Sequence, residues 1–376
     1  MEVAFFIKLI KFLVALSILI LVHEWGHFIA AVHNGIRVEV FSLGFGKKLF
    51  SRKRKNTEYC IRIIPLGGYV KLAGDNLEEA SNKPDEFLSQ PIYKRFWVVV
   101  AGPLMNYLIG IIAFWFVFSW GYTALGTKVG GLVEGLGAQK AGIQVNDKIV
   151  AVEAEQVNSW DTLVEKIKKY SAKKESIKIT LIRNNLKQSL VVKLLPIEKQ
   201  NIFGQRIVTR GIGIIPAQPA EDNRVFVRYS PFVACWISLK RTTEMTLLTY
   251  KALWFILTGR ISARQSVGGP VAMFDWFAAT STLSEFLMLL GVVSVGLAIF
   301  NLLPFPALDG GHILLLGIEK IRGKYLSKRT EEIIARIGYS VLISLAILIT
   351  FNDLVNRGML KRIGDVYQKF YGYFQK

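Results

Sequence analysis

The sequence predicts a polytopic α-helical membrane protein with about four transmembrane helices, a β-hairpin-like membrane-associated loop and an inserted extracytoplasmic α+β domain. Three observations carry this. Of its 376 residues 52% are hydrophobic, and the mean hydropathy is +0.36, more apolar than one soluble core of ordinary composition requires. Apolar runs long enough to cross a bilayer, which takes about 20 residues, occur at Val3 to Val22, Phe96 to Trp120, Phe286 to Leu308 and, more weakly, Ile333 to Phe351. Between the second and third runs lies a polar stretch of domain size.

Taken in order, the elements divide the chain into residues 1–120, 121–228, 229–280 and 281–376. The first run carries Lys8 and Lys11 but leads straight into His23 without a small-residue cleavage site, so it is expected to be retained rather than removed as a signal peptide. Next, "VEVFSLGFGKKLFSRKRKNTEYCIRIIPLGGYVKLAGD" places β-favouring stretches on either side of Arg52 to Asn56, which reads as a hairpin with a charged turn. A solvated basic loop is the alternative, since Gly44, Gly46, Gly67 and Gly68 also suit irregular backbone. The region 121–228 contains "SIKITLIRNNLKQSLVVKL", two alternating strands about an Asn184-Asn185 turn. In the segment after it, Lys240, Arg241, Glu244 and Lys251 interrupt the apolar residues, favouring an amphipathic helix on the membrane over a fifth span.

Charge is strongly positive, 47 Lys and Arg against 28 Asp and Glu. Much of it lies in loops beside apolar runs, which argues for a lipid bilayer as the partner and against nucleic acid. The short loops bearing Arg52 to Lys55 and Lys320 to Arg329 are expected on the cytoplasmic side and the inserted domain opposite. Arg357, Lys361 and Arg362 in the tail run against that assignment. The two cysteines, Cys60 and Cys235, have no metal-ligand spacing and indicate no disulfide framework.

Chemistry concentrates in "LVHEWGHFIA", where His23, Glu24 and His27 form H-E-x-x-H at the end of the first apolar run. Positions four apart share a helix face, so both imidazoles can reach one zinc while Glu24 stands beside them. Unpaired, these groups would be costly at membrane depth. His33 is turned away from that face. Catalytic zinc usually takes three protein ligands, and "NLLPFPALDGGH" offers Asp309 just past an uncharged run, with His312 as a rival three residues on. The first and third spans run in the same direction, and His23 and Asp309 lie at similar distances from their starts, so one ion can serve both. Pro304 and Pro306 break the helix there, freeing backbone groups that only protein or a water-lined cavity can satisfy.

With these motifs the chain resembles the bacterial site-2 proteases, intramembrane zinc metalloproteases of the type that regulates envelope stress. The likeness extends through "VHEWGHF", "FSLGFGKKL", "IPLGGYVK", "AGPLMN", "VGGPVAM" and "NLLPFPALDGGH". It implies that His23, His27 and Asp309 bind Zn2+, that Glu24 is the catalytic acid/base, that Asn301 lies near substrate and that Asn106 supports the site. It also implies a place in the bacterial cytoplasmic membrane and regulated proteolysis of transmembrane protein substrates such as anti-sigma factors or remnant signal peptides. "VEGLGAQKAGIQVNDKIVAVEAEQVNSW" resembles a PDZ signature through Ala138, Ala141, Gly142 and Asp147, with a peptide or protein ligand or a steric role as its expected use.

A helical substrate hides its amides, and the hairpin, through residues such as Ile63, is expected to hold it extended by strand pairing. The rival function is a non-catalytic, zinc-stabilised membrane scaffold that binds partners through PDZ. Glu24 discriminates, because a structural zinc site is closed by four protein ligands and has no need of a free carboxylate beside it.

Overall fold

The computed structural model describes residues 2–76, 78–200, 205–218, 220–262, 268–324 and 326–356. Arg357, Lys361 and Arg362 lie outside the described residues. The chain separates into two compact units, Phe116–Ala234 and the remainder, Met1–Trp115 with Cys235–Lys376.

Among the described residues four helices are long and apolar enough to cross a membrane: Val3–His33, Ile92–Trp120, Leu283–Asn301 and Arg329–Val355. They belong to α1 (Glu2–His33), α2 (Ile92–Trp120), α7 (Leu283–Asn301) and α9 (Lys328–Asn356), with α5 (Pro231–Leu257), the short α6 (Pro270–Ala279) and α8 (Asp309–Arg322) completing the helices of this part of the chain. The third span is shorter than its apolar run. Helix α7 starts at a capping box in which Thr282 and Glu285 satisfy each other's backbone N–H groups, and it stops at Asn301. The stop has a covalent cause: residues 302–308 include Pro304 and Pro306, which cannot donate to a helical ladder.

Small residues bring the spans together. A Cβ on Gly26 of α1 would overlap the Ala101 carbonyl oxygen of α2, and one on Gly110 of α2 would stand 2.6 Å from Val295 Cγ2 of α7. Fully buried Ser294 of α7 donates to the Asn106 carbonyl of α2 at 2.7 Å. Close backbone approach and interhelical hydrogen bonds are the means of helix association where lipid removes the hydrophobic incentive. Helix α5 has three faces: Ala234, Ser238 and Thr242 are buried, Trp236, Leu239, Leu247, Trp254 and Leu257 are exposed, and Lys240, Glu244 and Lys251 lie beside that stripe.

Strands β1 (Val38–Arg54) and β2 (Thr57–Leu72) form a long hairpin closed at Lys55 and Asn56. Its register shows that it is folded in half. Val38 to Leu43 pairs with Leu72 to Gly68, while Phe50 to Arg54 pairs with Ile61 to Thr57. The same Val40 to Leu43 also lies along Glu58 to Ile61. Gly44, Gly46 and Gly67, at φ of 88°, 83° and 135°, make the fold-back possible. Gly68 packs on Ile20 and Glu24 of α1, so the fold lies alongside the H-E-x-x-H turn. Thr57 Oγ1 donates to the Val38 carbonyl at 2.8 Å, so the turn returns to where the sheet leaves α1.

The smaller unit has a water-soluble design. Strands β5 (Lys148–Val152), β6 (Glu155–Gln156), β7 (Ser176–Arg183) and β8 (Leu186–Lys193) form an antiparallel sheet in the order β6-β5-β7-β8. Asn184 and Asn185, both at positive φ (48° and 63°), make the tight turn between β7 and β8. Short α3 (Gly137–Lys140) and longer α4 (Trp160–Ser171) flank it. Helix α4 begins at a Ser159–Thr162 capping box and buries Leu163 and Ile167 against Ile149, Ile177, Ile179 and Leu181. Asp147 forms a two-pronged ion pair with Arg183, at 2.8 and 2.6 Å. The unit is closed by three strand pairs: β3 (Tyr122–Leu125) with β12 (Arg224–Val227), β4 (Val129–Leu132) with β11 (Ile214–Pro216), and β9 (Leu195–Gln200) with β10 (Arg206–Gly211).

Candidate metal centre

Two elements converge on one point. Helix α1 supplies His23 and His27 from successive turns, and α8 begins at Asp309, immediately after the proline-broken segment. His23 Nε2 lies 3.1 Å from Asp309 Oδ2, His27 Nε2 lies 3.5 Å from Asp309 Oδ1, and the two Nε2 atoms are 3.1 Å apart. These side chains are the only group of three potential metal donors among the described residues. His312 is not in it, although it lies one turn along α8 and lines an adjoining cavity of about 300 Å³ with Ala307, Arg95 and Glu319. At the first position of α8, the Asp309 carboxylate is stabilised by the helix dipole.

The donor set fits zinc. Ligands held about 2.0–2.1 Å from a tetrahedral zinc stand roughly 3.3 Å from one another, close to the separations seen here. The surroundings also set the tautomers. His27 Nδ1 is 2.8 Å from the Val98 carbonyl of α2, which accepts only from an Nδ1–H, so Nε2 keeps its lone pair for a metal. His23 Nδ1 faces the side-chain amides of Asn106 and Asn301, with Nδ2 atoms at 3.3 and 3.5 Å. Asn106 Oδ1, in a residue 1% exposed, has no hydrogen-bond partner. A half-turn of that amide presents Oδ1 to a proton on His23 Nδ1 and frees His23 Nε2 for metal. The orphaned oxygen is accounted for by the histidine tautomer a metal demands.

Glu24 lies within electrostatic reach of His23, His27 and Asp309, with the backbone of Val70 in β2 beside it. Of the residues singled out from sequence, the structure gathers His23, Glu24, His27, Asp309, Asn106 and Asn301. Asn301 lies against His23, with its Nδ2 3.5 Å from Nδ1. Ile63 stands apart, at the fold of the hairpin and 57% exposed, between the paired residues Arg62 and Ile64. His33 occupies the last turn of α1.

Two contributors were not visible beforehand. A Cβ on Gly102 of α2 would overlap His27 Nε2 and crowd His23 Cε1 at 2.9 Å, so glycine there gives the imidazoles their space. The Val98 carbonyl is backbone and leaves no trace in residue identity. A signal for Gly102 did exist: Gly-Pro in the middle of a membrane-length helix sacrifices helix propensity, and such a sacrifice needs a local reason.

Comparison with known proteins agrees with this geometry. The model of Peptidase family M50 matches residues 11–345. The chain is 32% identical over 367 residues to a candidate zinc metalloprotease of Agrobacterium fabrum, covering 92% of this chain and 95% of that protein. It is 27% identical over 434 residues to the regulator of sigma E protease of Haemophilus influenzae, covering 92% and 98%, and 29% identical over 448 residues to protease RseP of Yersinia pestis, also covering 92% and 98%. The chain therefore belongs to peptidase family M50, the site-2 proteases, and is a metalloprotease.

Proposed function

We propose that this protein is a multi-pass zinc metalloprotease of the bacterial inner membrane that hydrolyses peptide bonds within transmembrane segments of other proteins, with His23, His27 and Asp309 as zinc ligands and Glu24 as general acid/base. The observation that carries the assignment is the convergence of three donors, two from the first candidate span and one from the start of α8, with one carboxylate left over beside them.

When bound, zinc supplies Lewis acidity to the scissile carbonyl and the attacking water. The chain does the rest. Glu24 is placed to take the water's proton and pass it to the leaving amine. The Val98 carbonyl and the Asn106 amide hold the imidazoles in one tautomer and orientation, with Asn301 packed beside His23. Gly102 keeps the space beside them clear.

The substrates are transmembrane proteins whose cleavage releases a signal, anti-sigma factors or remnant signal peptides. The name of the Haemophilus influenzae relative supports the first class. The basic short loops support a site near the cytoplasmic face and an extracytoplasmic insert. The PDZ-like motif in the insert supports a peptide-binding or steric role. Fold-back of the hairpin alongside Glu24 supports its role as a strand partner for an unwound substrate.

The deciding experiment pairs two variants. Glu24→Gln should retain zinc and lose cleavage of a model membrane substrate by about 10²–10⁴-fold, whereas Asp309→Ala should lose both zinc and cleavage. Wild-type turnover by Glu24→Gln would sink the assignment, and full zinc occupancy in Asp309→Ala would move the third ligand to His312 or elsewhere.

A further inference from the structure

The folded hairpin is polarised along its length. At the fold, level with Ile20 and Glu24 of α1, the side chains of Phe45, Leu49, Phe50, Ile61, Ile63 and Ile64 are exposed. At the other end, level with Val38, stand Arg52, Lys53, Arg54 and Lys55. Among the described residues none of these four side chains has an ion-pair partner. The acid across the strand from Lys53, Glu58, is bound by Lys48 and Ser51, both at 2.5 Å. Lys48 thereby reaches away from the fold towards the basic end, as a long side chain does when its stem is apolar and its head seeks the interface.

Cations that serve only to orient a membrane protein can sit anywhere in a loop. Here they sit at one end of a paired sheet, Arg52, Lys53 and Arg54 in register with Tyr59, Glu58 and Thr57, and Lys55 in the turn. They point away from an apolar end that water would not tolerate exposed. We propose that Arg52, Lys53, Arg54 and Lys55 form a docking site for anionic phospholipid headgroups, those of the leaflet that α1 meets near His33, and that this contact fixes the depth of the folded sheet. The choice of lipid over a protein partner rests on continuity: three residues, Gly35 to Arg37, separate the end of the α1 span from β1 once Asn34 closes the helix. The turn is thereby tethered at the membrane surface, where each basic residue strengthens attachment to anionic lipid about fivefold. The inference rests on the membrane placement of α1 and not on catalysis, so it can fail while the protease assignment stands.

The test uses the full-length protein with Cys60→Ser, Cys235→Ser and Asn56→Cys, labelled at position 56 with a fluorophore and held in nanodiscs. One set is pure phosphatidylcholine and the other contains about 30% phosphatidylglycerol. Quenching by neutral aqueous acrylamide should fall severalfold in the phosphatidylglycerol discs, and about 1 M salt should restore it, since screening then acts within roughly 3 Å. Adding Arg52→Gln, Lys53→Gln, Arg54→Gln and Lys55→Gln together should leave quenching equal in both lipids. The salt arm needs no substitution and so stands even where the neutralised variant inserts poorly. Equal quenching of the labelled parent in both lipids, or protection that survives 1 M salt, overturns the proposal.

Discussion

The two units of this chain solve opposite packing problems. In the insert, Ile149, Ile177, Ile179 and Leu181 are fully buried, and the one buried charge among the described residues, Asp147, is paired with Arg183. In the other unit Ser238 and Ser294 are fully buried, Asn106 and Thr242 nearly so, while Trp236, Leu247, Leu257 and Ile347 are exposed. The difference follows from the solvent. Water drives apolar side chains inward. Lipid gives them no such incentive, leaving close backbone approach and hydrogen bonding to hold helices together. It also explains where the chemistry sits: an interior already built from small and polar residues can hold two histidines and a carboxylate.

The largest expected effect comes from removing the clearance that this interior provides. Gly102→Ala should displace His27, lowering zinc affinity by about 10–100-fold, with cleavage falling at least as far. Insertion and helicity should be unchanged. Normal zinc content and activity in that variant would mean the imidazoles have room the structure does not show.

A smaller effect is expected at the hairpin. Proline at position 63 removes a backbone donor and disfavours strand pairing. Ile63→Pro should therefore slow cleavage of a helix-stable substrate about tenfold and largely spare one loosened by Gly or Pro, while Ile63→Val is nearly silent. Equal cleavage of stable and loosened substrates by Ile63→Pro would show that unwinding is driven elsewhere.

The smallest effects on cleavage separate the two interiors directly. In the insert, Ile179→Ala should cost about 2–5 kcal/mol of unfolding free energy, because it leaves a cavity in a water-driven core. In the membrane unit, Ser294→Ala should cost only about 0.6 kcal/mol, the average for an interhelical hydrogen bond in lipid. Chemical denaturation followed separately for each unit would measure both, and a large loss from Ser294→Ala would contradict the comparison.

Legibility from sequence follows the range of the interaction. The four spans could be read because hydropathy is local, and H-E-x-x-H because both imidazoles lie within one helical turn. Asp309 was within reach because an acid beyond an uncharged run needs a partner at matching depth. The fold-back of the hairpin was not legible. Its glycines at 44, 46 and 67 suited a plain loop equally well, and only the pairing of Val40 to Leu43 along Glu58 to Ile61 distinguishes the two. Nor could the orientation of His27 be read, since it depends on a backbone carbonyl from a helix about seventy residues away, Val98. The end of α7 at Asn301 rather than Leu308 lay between these cases, visible in the prolines but not in the hydropathy.

The seam of the insert has an evolutionary meaning. Strand β3 pairs with β12 from Tyr122 opposite Val227 to Leu125 opposite Arg224, and the Tyr229 N–H donates to the Phe118 carbonyl at 2.9 Å. The chain therefore enters and leaves the insert through neighbouring positions, zipped shut at the base. A cassette with adjoining ends can be lengthened, duplicated or replaced without changing the spacing its host must keep between spans. The insert and the metalloprotease around it can thus diversify at different rates within one polypeptide.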